Sequence, residues 1–291
     1  MAQPTGPSPA KVTHYENFPV ASVLCPPHLR PAIAAIYHFA RTADDLADEG
    51  EADADTRLAD LQAYRDALMD AANVPAASLR ASTPVRWPEV FEPLRAVMQT
   101  HQLPVSLLTD LLDAFEQDVR LTATQRRYVN DAELLDYCTR SANPVGRLLL
   151  HLYGINDAHA LLQSDAICTA LQLINFWQDV SLDVARARWY PSVATMARFK
   201  VSDADLQTAS ASQNAAAMIA FYASVARAEM LEGSPLVRRI PGRAGWELRL
   251  VVQGGLRILD KIEALQFATW RLRPRLTLRD VPIVLWRALW M

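Results

Sequence analysis

Glycine is scarce, at nine of 291 residues, while 51% of the chain is hydrophobic. This balance disfavours a turn-rich all-β fold and suits one large buried helical core. Cysteine is nearly absent: Cys25, Cys138 and Cys168 form no CxxC or Cys/His spacing. That excludes a disulfide framework and structural zinc, and it fits a reducing compartment. No apolar run reaches the ~18 to 20 residues of a spanning helix, because Gln172 and Asn175 interrupt the richest stretch, AICTALQLINFW. Net charge is only −3 and the basic residues are scattered, so nothing in the sequence attracts nucleic acid. The first residues, MAQPTGPSPAK, lack an apolar h-region. Residues 1–12 therefore read as a disordered leader rather than a signal peptide, and a cytoplasmic location is expected.

Ala, Leu, Arg and Glu dominate, β-branched alternation is almost missing, and apolar residues recur at helical spacing. The pattern predicts an all-α chain, one domain over 13–291, with helices at about 27–49, 54–71, 88–100, 104–120, 131–152, 157–184, 213–232, 245–270 and 280–290. The proline-rich stretch 73–88 reads as a surface connection and 184–200 as a non-periodic loop and lid candidate. The last segment, VPIVLWRALWM, carries Trp286, Arg287 and Trp290, a combination that suits a membrane interface. Packing on the protein's own core is the expectation for it, from the habit of Trp to bury.

Asp44 and Asp48, in IYHFARTADDLADEG, are four residues apart and share one helical face. Without a cation the pair repels, so the helix itself gains nothing from it. Asp45, Glu49 and Glu51 continue the acidic run, and a solvated helix end explains the motif alone equally well. A second set shifts the weighing. Asn175, Asp179 and Asp183 stand at i, i+4 and i+8, with Gln172 three residues earlier, inside an otherwise apolar segment. Unpaired polar groups on a buried face are costly. A Mg²⁺ ion is a fitting partner, since it takes oxygen ligands from one or two carboxylates together with phosphate oxygens. Two such helices facing each other would hold cations around a diphosphate and stabilise the charge of its departure. Arg41, Arg186 and Arg188 flank the motifs and suit phosphate oxygens.

The order YxFxRxxDDxxD (Tyr37, Phe39, Arg41, Asp44, Asp45, Asp48), then YC…VG (Tyr137, Cys138, Val145, Gly146), then QxxNxxxDxxxD…RxRxY resembles the squalene and phytoene synthase family. The resemblance implies the isoprenoid synthase fold, a single helical bundle around a deep central hydrophobic cavity. It also implies Asp44, Asp48, Asn175, Asp179 and Asp183 as the catalytic, metal-binding set for two or three Mg²⁺ ions. Arg41, Gln172, Arg188 and Tyr190 match positions that contact phosphate. Tyr37, Phe39, Tyr137, Val145, Leu148, Leu173 and Phe176 fall where the family contacts or encloses its hydrocarbon, with Gly146 beside them.

Three positions depart from the pattern. Glu16 stands where a phosphate-binding lysine is usual, Arg140 at an aligned tyrosine, and Gln178 in place of an arginine. The wordings HYENFPVAS, SANPVGRLLLH and NFWQDV are most similar, within the family, to bacterial hydroxysqualene synthases of hopanoid pathways. That similarity implies ionisation of presqualene diphosphate, capture of the rearranged cation by water, and no NADPH. Arg140 and Asn143 are candidates for positioning that water, set against a kink at Pro144 in which both are structural. Alternatives within the class are a presqualene diphosphate synthase and a phytoene or dehydrosqualene synthase. Outside it stand a ferritin-like di-iron site, which lacks its Glu-x-x-His pairs, and a non-catalytic helical assembly. Expected partners are a long-chain isoprenoid diphosphate, with peripheral contact to the inner membrane or to neighbouring enzymes, and no nucleic acid.

Overall fold

Short polar side chains and prolines set the helix ends. Asn130, Asp157, Ser192 and Ser212 each accept a hydrogen bond from a backbone N–H in the first turn that follows, satisfying donors that a helix start leaves free. Pro31, Pro88 and Pro144 occupy first-turn positions, where the missing N–H costs nothing.

The computed structural model describes residues 25–73 and 86–291; the expected leader, Glu16 and most of the 73–88 connection lie outside them. Among the described residues the regular elements are helices, with no strand. In chain order they are α1 (Arg30–Asp48), α2 (Ala54–Asn73), α3 (Pro88–His101), α4 (Val105–Thr124), α5 (Asp131–Ser141), α6 (Asn143–Leu152), α7 (Ala158–Gln178), α8 (Val180–Ala185), α9 (Val193–Phe199), α10 (Asp203–Gln207), α11 (Gln213–Gly233), α12 (Gly242–Ala264) and α13 (Val281–Leu289).

Two apolar clusters form the interior. One joins α1 to α4 and includes Phe39, Tyr64, Phe91 and Leu112, with Leu148 and Leu152 of α6. The other joins α5, α7, α11 and α12 around Trp177, Met218, Tyr222 and Leu259. α4 spans the two, packing on α1 and α2 and also on α5 and α6. The seam between the clusters is where the acidic motifs meet.

The structure changes three expectations. The predicted 131–152 helix breaks at Ala142 (φ −122°, ψ −48°), because Pro144 cannot donate a backbone bond to the Arg140 carbonyl and its ring crowds that carbonyl. The 184–200 loop contains α9 and is pinned rather than loose. Asp131 accepts from Ser192 Oγ at 2.6 Å, Thr195 Oγ1 at 2.8 Å and Tyr222 OH at 2.9 Å, and the Val193 N–H donates to the Tyr128 carbonyl at 2.9 Å. Finally, α13 does not bury its tryptophans: only Ala288 is buried, and Trp286 and Trp290 remain 62% and 74% exposed. Among the described residues no helix is long and apolar enough to cross a membrane.

Candidate active site at the seam

α1 has two working faces. Ala32, Ala35, Ile36, Phe39, Ala43 and Ala47 recur at helical spacing and are buried in the first cluster. Asp44 lies about 140° around the helix from Phe39, so it points away from that core. Phe39 itself is fully buried, stacked on Tyr64 at 5.2 Å and near Phe91 at 6.2 Å. In this arrangement Phe39 serves the core, as does Leu148, fully buried in the same cluster.

Five carboxylates and three arginines define the site. Arg41 donates to Asp44 at 3.0 Å and pairs with Asp45 at 2.6 Å. Arg188 reaches back from beyond α8 to pair with Asp48. Arg273 forms a bidentate pair with Asp179, with Nη2 to Oδ2 at 2.8 Å. Asp183, one turn after Asp179, is half-buried, and Arg186 beside it is exposed. The chain does not run as one helix through the second motif. Asp179 (φ −102°, ψ 12°) ends α7 and opens α8, yet its N–H donates to Asn175 at 2.9 Å and its carbonyl accepts from Asp183 at 3.0 Å. The near-helical spacing survives the break. Gln172 and Asn175 are half-buried, three residues apart on α7.

The electrostatics of this cluster are those of anions short of cations. Burial, then the Asp48 charge, raises the Asp44 carboxyl to about 6. Burial and then Asp179 raise Asp183 to about 7. Burial raises Asp118 to about 7 against the lowering pull of Tyr137, whose hydroxyl donates to its Oδ2 at 2.5 Å. Burial disfavours the Arg188 charge, but Asp48 outweighs it and lifts the guanidinium above its ordinary range. Arg188 also acts electrostatically on Asp44, Asp118 and Asp183. It is thus the cationic hub between the two motifs.

Aromatic rings wall the site beside Asp118. Tyr190 stacks on Phe176 at 3.7 Å and on Tyr128 at 6.4 Å. Burial, followed by the Asp118 charge, pushes the Tyr137 and Tyr190 phenols well above their usual range, so both stay protonated donors. A crevice of about 20 Å³, lined among others by Asp118, Tyr128, Arg188 and Tyr190, opens here. That is room for one water.

The remaining expected residues divide. Tyr37 is half-buried on α1. Arg140 pairs with Asp136 at 2.8 Å and donates to Gln117 at 2.8 Å, and Gln117 donates to the Tyr128 hydroxyl at 3.5 Å. Its contact with the aromatic wall is indirect. Asn143 is buried and accepts from Thr169 at 3.0 Å, so it ties α6 to α7 at the kink. Gly146 is a packing contact: a Cβ there would stand 2.3 Å from Ser164 Oγ and 2.6 Å from Cys168 Sγ. Leu173 is buried in the second cluster, and Val145 is 37% exposed outside both clusters.

Sequence reading missed Asp118 and Arg273. Asp118 carried a signal, since it falls seven residues after Leu111 and four after Ala114, on the buried stripe of α4. Arg273 carried none, being 94 residues from Asp179. It is held in place by Gln178, whose Nε2 donates to the neighbouring Pro274 carbonyl at 2.8 Å. The glutamine at the family's usual arginine position thus anchors a segment that returns an arginine to the site.

The donor set suits a hard divalent cation: oxygen ligands only, with three carboxyls raised by burial beside other acids. In the arrangement described, arginines occupy Asp48 and Asp179. Among the described residues no three His, Cys, Asp or Glu side chains converge on one point.

The squalene/phytoene synthase family profile matches residues 12–280. The hydroxysqualene synthase of Sinorhizobium fredii is 31% identical over 98% of this chain and 91% of its own length. That of Zymomonas mobilis is 40% identical over 58% of this chain and 51% of its own length, so the latter match spans about half of that relative. Among solved structures, squalene synthase HpnC of Alicyclobacillus acidocaldarius is similar at 36% identity and TM-score 0.74, covering 87% of this chain and 90% of that one. A dehydrosqualene synthase shares the fold at TM-score 0.77 and 20% identity, over 92% and 88% of the two chains. With its all-α seam of carboxylates and arginines, the chain belongs to the squalene/phytoene synthase family.

Proposed function

We propose that this protein is a hydroxysqualene synthase, converting presqualene diphosphate and water to hydroxysqualene and diphosphate with Mg²⁺. The observation that carries the reading is the gathering of Asp44, Asp48, Asp118 and Asp183 within the electrostatic reach of Arg188, with Asp179 beside Asp183, three of these carboxyls being raised toward neutrality. The near full-length similarity to a hydroxysqualene synthase supports the choice within the family.

Asp44, Asp48, Asn175, Asp179 and Asp183 would hold the ions. Bound Mg²⁺ supplies neutralisation of the charge that develops on the leaving diphosphate. Arg41, Arg188 and Arg273 neutralise carboxylates at rest and turn toward phosphate oxygens when substrate arrives, as guanidinium forks favour. The Tyr128, Tyr190 and Phe176 rings exclude bulk water from one flank and offer π faces to a carbocation. The single-water crevice supports capture by one water rather than by solvent. Water adds to the carbocation through its oxygen, and Asp118, oriented by Tyr137, takes up the released proton.

Incubation of purified protein with presqualene diphosphate or farnesyl diphosphate, each with and without Mg²⁺, tests the reading. Hydroxysqualene from presqualene diphosphate in Mg²⁺ alone is the expected product. Turnover of farnesyl diphosphate with no consumption of presqualene diphosphate would replace this reaction by the condensation.

A further inference from the structure

The C-terminal helix stands out because it presents apolar surface that the fold does not use. On α13, Val281, Leu285, Trp286, Leu289 and Trp290 are 46%, 47%, 62%, 57% and 74% exposed. Their positions, at i, i+4, i+5, i+8 and i+9, form one stripe. The opposite side is fastened to the domain. Arg249 donates to the Ala288 carbonyl at 3.4 Å, Arg287 pairs with Asp260 at 2.6 Å, and Ala288 is buried. The patch extends past both ends of the helix, to Leu278 at 89% exposure and to Trp246 on α12 at 40%.

Charge around this face is one-sided. The chain carries −3 overall, yet residues 271–291 hold five arginines and a single aspartate. That aspartate, Asp280, is buried and held by Arg257 at 2.8 Å and Lys261 at 2.5 Å. Arg271, Arg275 and Arg279 are exposed, and none pairs with a carboxylate among the described residues. Arg279 and Leu278 border an open cleft of about 580 Å³ at the start of α13, with Arg257 and Lys261 on its other side. A cationic cleft thus adjoins an apolar helix face.

We propose that α13 and this cleft dock the protein on an anionic lipid bilayer, headgroup phosphates facing the arginines and α13 lying in the plane of the interface. Nine residues of helix span about 14 Å, half or less of a bilayer's hydrocarbon thickness. The helix therefore lies flat. Tryptophans and leucines beside arginines fit the boundary between acyl chains and headgroups. A second copy of the chain fits less well, since it would bring the same positive charge to the contact. The segment leading into α13 also carries Arg273 onto Asp179, so the docked face adjoins the candidate active site. On the prenyl diphosphate reading, an apolar substrate would then enter from the bilayer rather than through water.

The test is sedimentation of the full chain with vesicles of phosphatidylcholine alone, or with about one third phosphatidylglycerol, at low and high salt. Binding is expected to the anionic vesicles only and to weaken with salt. Trp286→Ser with Trp290→Ser is expected to lower it at least about tenfold with the melting temperature unchanged, because both side chains are already exposed. Arg275→Gln and Arg279→Gln are each expected to lower it about fivefold. Equal binding by the tryptophan variant would overturn the proposal, as would no binding to anionic vesicles. Displacement by inorganic phosphate at equal ionic strength would do so too, by making free phosphate the ligand. Lipid-free self-association that the tryptophan variant abolishes would assign the face to a second copy. The assay needs no substrate, so its failure leaves the proposed reaction standing.

Discussion

Asp118 provides the sharpest test of the site's electrostatics. Its carboxyl is raised from 3.8 to about 7 by burial, partly opposed by the Tyr137 hydroxyl. A group whose pKa is raised on folding favours the folded state while protonated. That contribution is complete below the unfolded value near 4 and is lost as pH rises through about 7. Three units at ~1.36 kcal/mol each set a ceiling of about 4 kcal/mol. Asp118→Asn keeps the shape and the acceptor for Tyr137 but removes the charge. In EDTA at pH 8 the variant is expected to be more stable than the parent by up to that ceiling, or about 6 to 7 °C in Tm for a chain of 291 residues. At pH 5, about one pH step above the unfolded value, roughly 1.6 kcal/mol of the difference should remain, and it should vanish only below about pH 4. Circular dichroism melts at the two pH values measure this directly. A parent whose stability is flat from pH 5 to 8, or a variant less stable at pH 8, would refute the reasoning. Hydroxysqualene formation by the same variant is expected to fall even where stability rises, which separates a functional cost from a structural one.

Other substitutions probe the remaining assignments. Arg273→Gln breaks the bidentate pair with Asp179 and is expected to lower kcat/KM for the diphosphate substrate about tenfold to a hundredfold; unchanged kinetics would remove Arg273 from the site. Phe39→Ala empties a fully buried position between Tyr64 and Phe91. It should cost about 3 to 5 kcal/mol in denaturant melts while KM of the folded fraction stays the same; a raised KM would restore the substrate contact. Gly146→Ala drives a methyl into Ser164 and Cys168 and is expected to destabilise by about 1 to 3 kcal/mol, with recovery when Ser164→Gly and Cys168→Ala are added. Raising pH from 5 to 8 in EDTA should also weaken the fold through Asp44 and Asp183, whose raised carboxyls lose their stabilising protons near 6 and 7, and added Mg²⁺ should reverse the loss.

Most of the helices, and the residues of both acidic motifs, were legible in the chain because helical periodicity and i, i+4 carboxylate spacing are local properties. The Pro144 kink was legible too, since a proline acts on the helical turn just before it. Local spacing does not say which face of a helix finds a partner. Phe39 sits two residues from Arg41 in sequence but turns into the first apolar cluster while Arg41 pairs with Asp44, and α13 keeps exposed the tryptophans that composition would bury. Only tertiary structure brought Asp118 and Arg273 to the seam. Asp118 lies 70 residues from Asp48 and Arg188, and Arg273 lies 94 from Asp179, and their meeting depends on how α4 and the 271–276 segment pack against the rest. Charge pairing and burial, which set the pKa values and the hub role of Arg188, are properties of that assembled neighbourhood rather than of any one stretch of chain.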